Sequence, residues 1–234
     1  MEKALVLLSG GLDSTVAAAL ARRTCRPVLA LTVDYGQRAA KQELAASYAL
    51  ARRLEFEHRT VYIPYLREAS TGALVDRKIE IPRPSLADLD DATGAAARSA
   101  AAVWVPNRNF ALIAMAATWA EVNDIKYVVV GFNREEAATF PDNSAAFLTA
   151  VNQALSLSTK NHVQVVSPTA DMDKREIMAA AMAEDLPLEW SWSCYLGGDE
   201  PCGTCESCRR FDRAVDAAGA AGWLKERRQR RNPR

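Results

Sequence analysis

Histidine is nearly missing: the chain of 234 residues has two, His58 and His162. They sit in unrelated contexts near strand starts. A histidine base, a Ser-His-Asp relay or a histidine-built metal centre therefore finds no support. Excess charge is missing too. Lys plus Arg and Asp plus Glu number 29 each, so the net charge is zero, and nothing in the overall balance suggests binding to nucleic acid or an anionic membrane. The local exception is 225–234, with six basic residues against Glu226. It reads as a frayed, solvated end more readily than as an RNA-binding arm. No window reaches the apolar length of a membrane span. The N-terminus runs straight into a strand with no signal peptide, so the cytoplasm is the expected compartment. There is no internal repeat. The remaining composition, 49% apolar and 25% charged, suits one sizeable domain with an appendage.

A further absence is more pointed. Leu7-Leu8-Ser9-Gly10-Gly11-Leu12-Asp13-Ser14-Thr15 joins an apolar run, 4–8, to an alanine-rich one, 16–21. This is strand, glycine turn, helix. Paired glycines let a ligand approach the backbone, and a new helix offers unpaired N–H groups and a dipole suited to an anion. The lysine of the common nucleotide loop is not there. Asp13 stands before Ser14 instead, and a carboxylate beside phosphates needs a bridging divalent cation. Asp13 is accordingly expected to anchor magnesium and phosphate. The plainer alternative is a glycine turn with a capped helix.

Downstream, strands are expected at 28–34, 59–63, 127–131 and 163–166, with helices at 44–54, 110–122 and 147–157 between them. Alternation of this kind predicts an α/β fold with a parallel sheet covered by helices on both faces. Ligands gather at the carboxyl ends of such strands. Residues 64–101 break the rhythm and read as a lid, a binding loop or a disordered connection. Asn107 is expected to cap the following helix, at whose start Arg108 opposes the dipole unless an anion is present. Asp142 or Asn143 would cap the next. Lys174 opens an amphipathic run, either as a solvated charge or as a phosphate contact. Cys25 reads as a packing thiol.

The other four cysteines, Cys194, Cys202, Cys205 and Cys208, fall within fifteen residues. Two overlapping C-x-x-C steps with Pro201 and Gly203 at the bends suit four thiolates around a structural zinc ion. An iron–sulfur cluster is the competitor. The metal would hold together a C-terminal segment too poor in apolar residues to fold alone. The expected division is 1–185, containing the 64–101 insertion, and 186–234 with the metal site and basic tail.

The string Ser-Gly-Gly-x-Asp-Ser after a strand resembles the PP-loop of the ATP pyrophosphatase superfamily. Joined to the cysteine cluster, it resembles the 7-cyano-7-deazaguanine synthase family almost end to end. The matching blocks are residues 9–15, Asp34-Tyr35-Gly36-Gln37-Arg38, Val105-Pro106-Asn107-Arg108-Asn109, Phe140-Pro141-Asp142, Asp173-Lys174 with Glu176-Ile177, and Ser193-Cys194-Tyr195 with the C-x-x-C steps. The resemblance implies an adenine-nucleotide α-hydrolase-like, Rossmann-like sheet and an ATP-dependent ligase acting in queuosine and archaeosine precursor synthesis. Such a ligase joins 7-carboxy-7-deazaguanine and ammonia to give the nitrile through adenylated intermediates.

It also implies roles for single residues. Leu8, Ser9, Gly10, Gly11, Leu12, Asp13, Ser14, Thr15 and Val33 would hold ATP with Mg²⁺. Tyr35, Gln37, Arg38, Asn109, Gly131 and Asp142 would bind substrate, and Asp13, Lys174 and Arg108 would serve catalysis. Zinc would sit on Cys194, Cys202, Cys205 and Cys208. Small molecules are the expected partners, with no membrane and no nucleic acid; a homodimer is compatible with the sequence, which does not fix the oligomeric state. Lacking a glutaminase domain, the chain is expected to use free ammonia. Three departures from the family pattern, Ala39 for histidine, Asn107 for glycine and Asn143 for cysteine, fall in the substrate region. Two rival readings stand beside this one. A tRNA-thiolating PP-loop enzyme would need a reactive thiol or an iron–sulfur cluster. A non-catalytic zinc module gripping nucleic acid by the basic tail would bind RNA with steep salt dependence and would not cleave ATP.

Overall fold

The computed structural model describes residues 1–91 and 93–231, without the side chains of 230 and 231. The strands are β1 (Lys3–Leu7), β2 (Arg26–Asp34), β3 (Glu57–Tyr62), β4 (Tyr127–Val129) and β5 (Gln164–Val166). The helices are α1 (Leu12–Ala21), α2 (Ala40–Arg53), α3 (Tyr65–Glu68), α4 (Ala95–Val103), α5 (Arg108–Val122), α6 (Arg134–Ala137), α7 (Ala145–Ser158), α8 (Lys174–Ala183), α9 (Glu206–Ala217) and α10 (Ala221–Arg231). No described helix is long and apolar enough to cross a membrane.

All strand pairs are parallel, in the order β3-β2-β1-β4-β5. The chain builds outward from β1 in one direction, then starts again on its other side at β4. That reversal opens a crevice at the carboxyl ends of β1 and β4, where doubly wound sheets bind ligands.

The β1 side chains alternate between faces, as a strand requires. Ala4, Val6 and Leu8 pack with Val16 and Ala17 of α1, Leu50 of α2, Ile177 and Met178 of α8, and Phe211 of α9. Leu5 faces the other way and packs with Ile113, Ala116 and Ala117 of α5 and with Val151 and Leu155 of α7. The sheet is thus covered on both faces. Leu186, Leu188, Ala214, Val215 and Leu224 enter the same apolar cluster as α1, so the C-terminal helices share the core of the sheet.

The 64–101 stretch is not a bare loop. It holds α3, a 3-10 turn at Ala87–Asp90 and the start of α4. Leu66, Ala73, Leu74, Val75 and Ile81 bury themselves against Val103, Val105 and three of the clustered cysteines. Spacing in the sequence could not disclose this, because these apolar residues follow neither helical nor strand periodicity.

The capping expectations need correction. Asn107 sits at φ 60° and makes no side-chain cap. Glycine and asparagine are the residues that take the left-handed region most readily, so this exchange preserves the backbone. Ser144, not Asp142 or Asn143, caps α7, accepting from Phe147 N at 3.1 Å. The basic end is corrected as well. α10 continues to Arg231 with Leu224 buried, and Arg227 pairs with Asp185 at 2.5 Å and Glu189 at 3.0 Å. Residues 232–234 lie outside the described part of the chain.

Candidate active site

A cavity of about 280 Å³ lies in the crevice. The turn after β1 forms its floor. Gly10 has φ 84° and presses on α2; a Cβ there would come within 2.9 Å of Glu43 O and Ser47 N. Gly11 begins α1 with no side-chain cap. The first helical N–H groups therefore have no partner within the helix, while Thr15 N bonds back to Gly11 O at 3.2 Å. Ser9 and Ser14 brace the turn through a 3.0 Å contact between hydroxyls. Gly131, just past β4, closes over it; a Cβ there would lie 2.6 Å from Ser14 N. Only glycine lets β4 approach the turn so closely.

A charged trio around the buried Lys174 forms one wall. Lys174 Nζ donates to Asp13 Oδ2 at 2.5 Å and to Glu136 Oε1 at 2.7 Å. Lys174 is placed by a capping box at the start of α8, in which Asp173 and Glu176 exchange hydrogen bonds. Burial works against the lysine's charge, but Asp13 and Glu136 outweigh it and hold the ammonium above its usual range. Burial pushes the Asp13 carboxyl up despite Lys174. Burial also opposes ionisation of Glu136, yet Lys174 prevails and draws it below the ordinary carboxylate range. Asp13 Oδ1 is buried and has no hydrogen-bond partner. An oxygen left bare beside uncapped helix N–H groups fits a divalent cation carried in with phosphate.

Arg108 enters from the start of α5. Its Nε reaches Asn109 Oδ1 at 3.3 Å, and Tyr35, Asp142 and Tyr195 keep it firmly protonated against burial. Burial raises Asp142, an effect opposed by Arg108. Burial also raises Glu43, with Gln37 and Arg108 opposing.

The residues expected from the sequence separate into two sets. Leu8, Ser9, Gly11, Leu12, Asp13, Ser14, Val33, Tyr35, Gln37, Arg108, Asn109, Gly131 and Lys174 line the cavity. Gly10, Thr15, Arg38 and Asp142 do not. Gly10 is in the packing contact described above, and the Thr15 hydroxyl is spent on Gly11 O at 2.7 Å. Arg38 turns away to bond the carbonyls of Asp76 and Ile79 in the insertion. Asp142 lies beneath the wall, its carbonyl accepting from Asn109 Nδ2 at 3.3 Å. Ala39 and Asn143, two of the departures from the family pattern, line the cavity.

Sequence reading missed Glu43, Glu136, Glu206 and Arg210, all of them cavity residues. Glu43 and Arg210 resemble solvated charges on amphipathic helices. Glu136 sits in a run, Arg134-Glu135-Glu136, that carries no motif. Glu206 and Arg210 belong to a network joining α9 to its neighbours. Ser99 Oγ donates to Glu206 Oε2 at 2.5 Å, Arg210 Nε to Glu206 Oε1 at 2.9 Å, and Arg210 Nη1 to Glu135 Oε2 at 3.1 Å. The histidines do not line the cavity; His58 Nε2 contacts Thr32 Oγ1 at 2.9 Å.

The four cysteines of the cluster converge, all four sulfurs lying within 4.8 Å of one another. A tetrahedral thiolate ion with bonds of about 2.3 Å sets neighbouring sulfurs about 3.8 Å apart, and Cys202 Sγ to Cys208 Sγ is 3.9 Å. Backbone N–H groups of Leu196 and Cys202 point at Cys194 Sγ, and that of Cys205 at Cys202 Sγ, at 3.3–3.4 Å. The cluster could therefore hold a metal ion. It also shapes the cavity, since Ser193, Tyr195, Glu206 and Ser207, each next to a cysteine in the chain, line it. Cys25 is elsewhere, buried in the core and bonded to Ala21 O at 3.2 Å.

A family profile described as "Queuosine biosynthesis protein QueC" matches residues 3–219. The chain belongs to the QueC family. Its curated relatives include a 7-cyano-7-deazaguanine synthase of Desulforudis audaxviator, 48% identical over 93% of this chain and 98% of that one. Another protein of that name, from Methanosarcina mazei, is 45% identical over 96% and 98%. Among solved structures, a 4-thiouridine synthetase in complex with RNA and bound ATP aligns at TM-score 0.49 and 17% identity, over 96% of this chain and 52% of that one. So loose a likeness says nothing of function. The matched span covers the sheet, the insertion and α9.

Proposed function

We propose that this QueC protein is an ATP-dependent ligase that converts 7-carboxy-7-deazaguanine and ammonia into 7-cyano-7-deazaguanine. The observation that carries the reading is the crevice itself. An uncapped helix start, the bare Asp13 oxygen and Lys174 meet there at one end, and Arg108 lies in the same cavity.

The chemistry needs activation because a carboxylate would have to expel oxide. Attack of the substrate carboxylate oxygen on the α-phosphorus of ATP breaks the α–β bond and releases pyrophosphate. Ammonia then adds to the acyl carbon, a proton leaves, and AMP departs from the amide. The amide oxygen then attacks the α-phosphorus of a second ATP and releases a second pyrophosphate; loss of AMP and two protons leaves the nitrile. The N–H groups at the start of α1 would hold phosphate oxygens. Arg108 would orient the carboxylate. Lys174 would move from its carboxylate partners to charge developing on the departing pyrophosphate. Catalysis of this kind is positioning and charge stabilisation, which suits a cavity without a nucleophile–base pair. Asp13 and Glu136 would hold Mg²⁺, which supplies charge neutralisation between phosphate oxygens. The four cysteines would hold zinc, a closed set of ligands with a structural role.

Incubation with ATP, Mg²⁺, ammonia and 7-carboxy-7-deazaguanine tests the reading, with products identified by mass. Nitrile, AMP and pyrophosphate are expected. ADP and phosphate as main products would overturn it. A thiolating activity that works through a free reactive thiol is disfavoured by the same geometry, because the four clustered sulfurs face one another and the fifth is buried in the core.

A further inference from the structure

Four carboxylates line the cavity: Asp13, Glu43, Glu136 and Glu206. Three are committed. Asp13 and Glu136 share Lys174 at the phosphate end. Glu206 is held by Arg210 on one oxygen and Ser99 on the other. Glu43 differs. Its Oε2 accepts from Gln37 Nε2 at 2.7 Å, and Oε1 takes no hydrogen bond among the described residues. Gln37 is itself fully used. Its Oε1 accepts from Tyr35 N at 2.9 Å, and its second amide proton goes to Val33 O at 3.2 Å. The amide is thus fixed, and it aims Glu43 rather than meeting a ligand.

The arginines of the cavity follow the same pattern. Arg210 is bound by Glu206 and Glu135, whereas Arg108 has no salt bridge among the described residues; its Nε donates to Asn109 Oδ1, and Tyr35, Asp142 and Tyr195 surround it. The cavity therefore presents one arginine and one carboxylate that have no ion pair among the described residues, with Tyr35 near both. A ligand with an anionic end and an edge of N–H donors complements that pair.

We propose that Glu43 is a specificity-determining residue: it accepts the adjacent N–H donors of a 2-amino-substituted, guanine-like base, whose carboxylate end faces Arg108. The assignment rests on the functional reading above. Each carboxylate oxygen has two acceptor positions; Oε2 spends one on Gln37 and Oε1 none, so both oxygens can meet a pair of donors. A site built to accept such donors rejects an analogue that lacks one, since its buried acceptor is then left unpaired.

The test compares 7-carboxy-7-deazaguanine with the analogue carrying hydrogen in place of the 2-amino group, on wild type and on Glu43→Gln. Hydrogen bonds to a charged group are worth enough that wild type should lose about tenfold to a hundredfold in kcat/KM on the analogue, mainly in KM. Glu43→Gln should lose a similar factor on the natural compound and should no longer distinguish the two. Its ATP affinity and melting temperature should stay near wild type. Equal use of both compounds by wild type overturns the assignment without recourse to any variant. A variant that loses kcat with KM unchanged overturns it too, and makes Glu43 a proton acceptor. Wild type that converts neither compound refutes the functional reading, a different result from indiscriminate turnover.

Discussion

Replacing Lys174 with methionine removes the cation that lets Asp13 and Glu136 coexist. Both carboxylate oxygens touch the same Nζ, at 2.5 and 2.7 Å, so they lie no more than about 5 Å apart. Two charges at that distance repel by about 3 kcal/mol at an effective dielectric of about 20. Breaking a buried ion pair from one side costs about 3–5 kcal/mol. Glu136 is 31% exposed along its side chain, which favours the lower figure. Lys174→Met should therefore lose about 3 kcal/mol at pH 8. The pH dependence gives the sharper check. In the wild type the raised lysine contributes fully below its unfolded value, about 10.4, so its contribution is constant from pH 5 to 8. Glu136, held low, contributes above its unfolded value of about 4.3 and loses that contribution only in stronger acid. In the variant, burial and mutual repulsion raise both carboxyls. Their penalty then shrinks as pH falls and one takes a proton. Urea unfolding at pH 8 and pH 5 should show the loss falling by about half or more. An equal loss at both values, or none, would refute the electrostatic account of the trio.

Asp13→Asn should fold, because the exchange is nearly isosteric and leaves Lys174 paired with Glu136, yet lose about a thousandfold or more in AMP formation; AMP release at the wild-type rate would remove Asp13 from the mechanism. Gly131→Ala should weaken ATP binding at least tenfold, since its methyl meets Ser14 N at 2.6 Å; calorimetry showing unchanged affinity would mean that the turn yields cheaply. Cys205→Ser should lower metal content measured by elemental analysis and, with it, the melting temperature. Because Leu74, Val75 and Ile81 pack in the same cluster as Cys205, the 64–101 stretch should also become sensitive to limited proteolysis. A metal-free, protease-resistant variant would sever the cluster from the insertion.

The sequence by itself determined the alternation of strands and helices, the phosphate turn and the cysteine quartet. Each of these is local: a period, a pair of glycines, a spacing of three. It also determined that aspartate rather than lysine stands before Ser14. Only the tertiary structure decided which charges are spoken for. Arg38 and Gln37 lie in one motif, yet Arg38 pins the insertion and Gln37 aims Glu43. Glu136 and Glu43 carry no local signature; they matter because β4 and β2 end beside β1, which brings α6 and α2 to one crevice. The insertion looked structureless because its apolar residues answer to no period of their own. They pack against sulfurs more than a hundred positions away, a contact that exists only after the sheet has closed. Periodicity reports which face of an element is buried, whereas the pairing of buried charges depends on where separate elements meet.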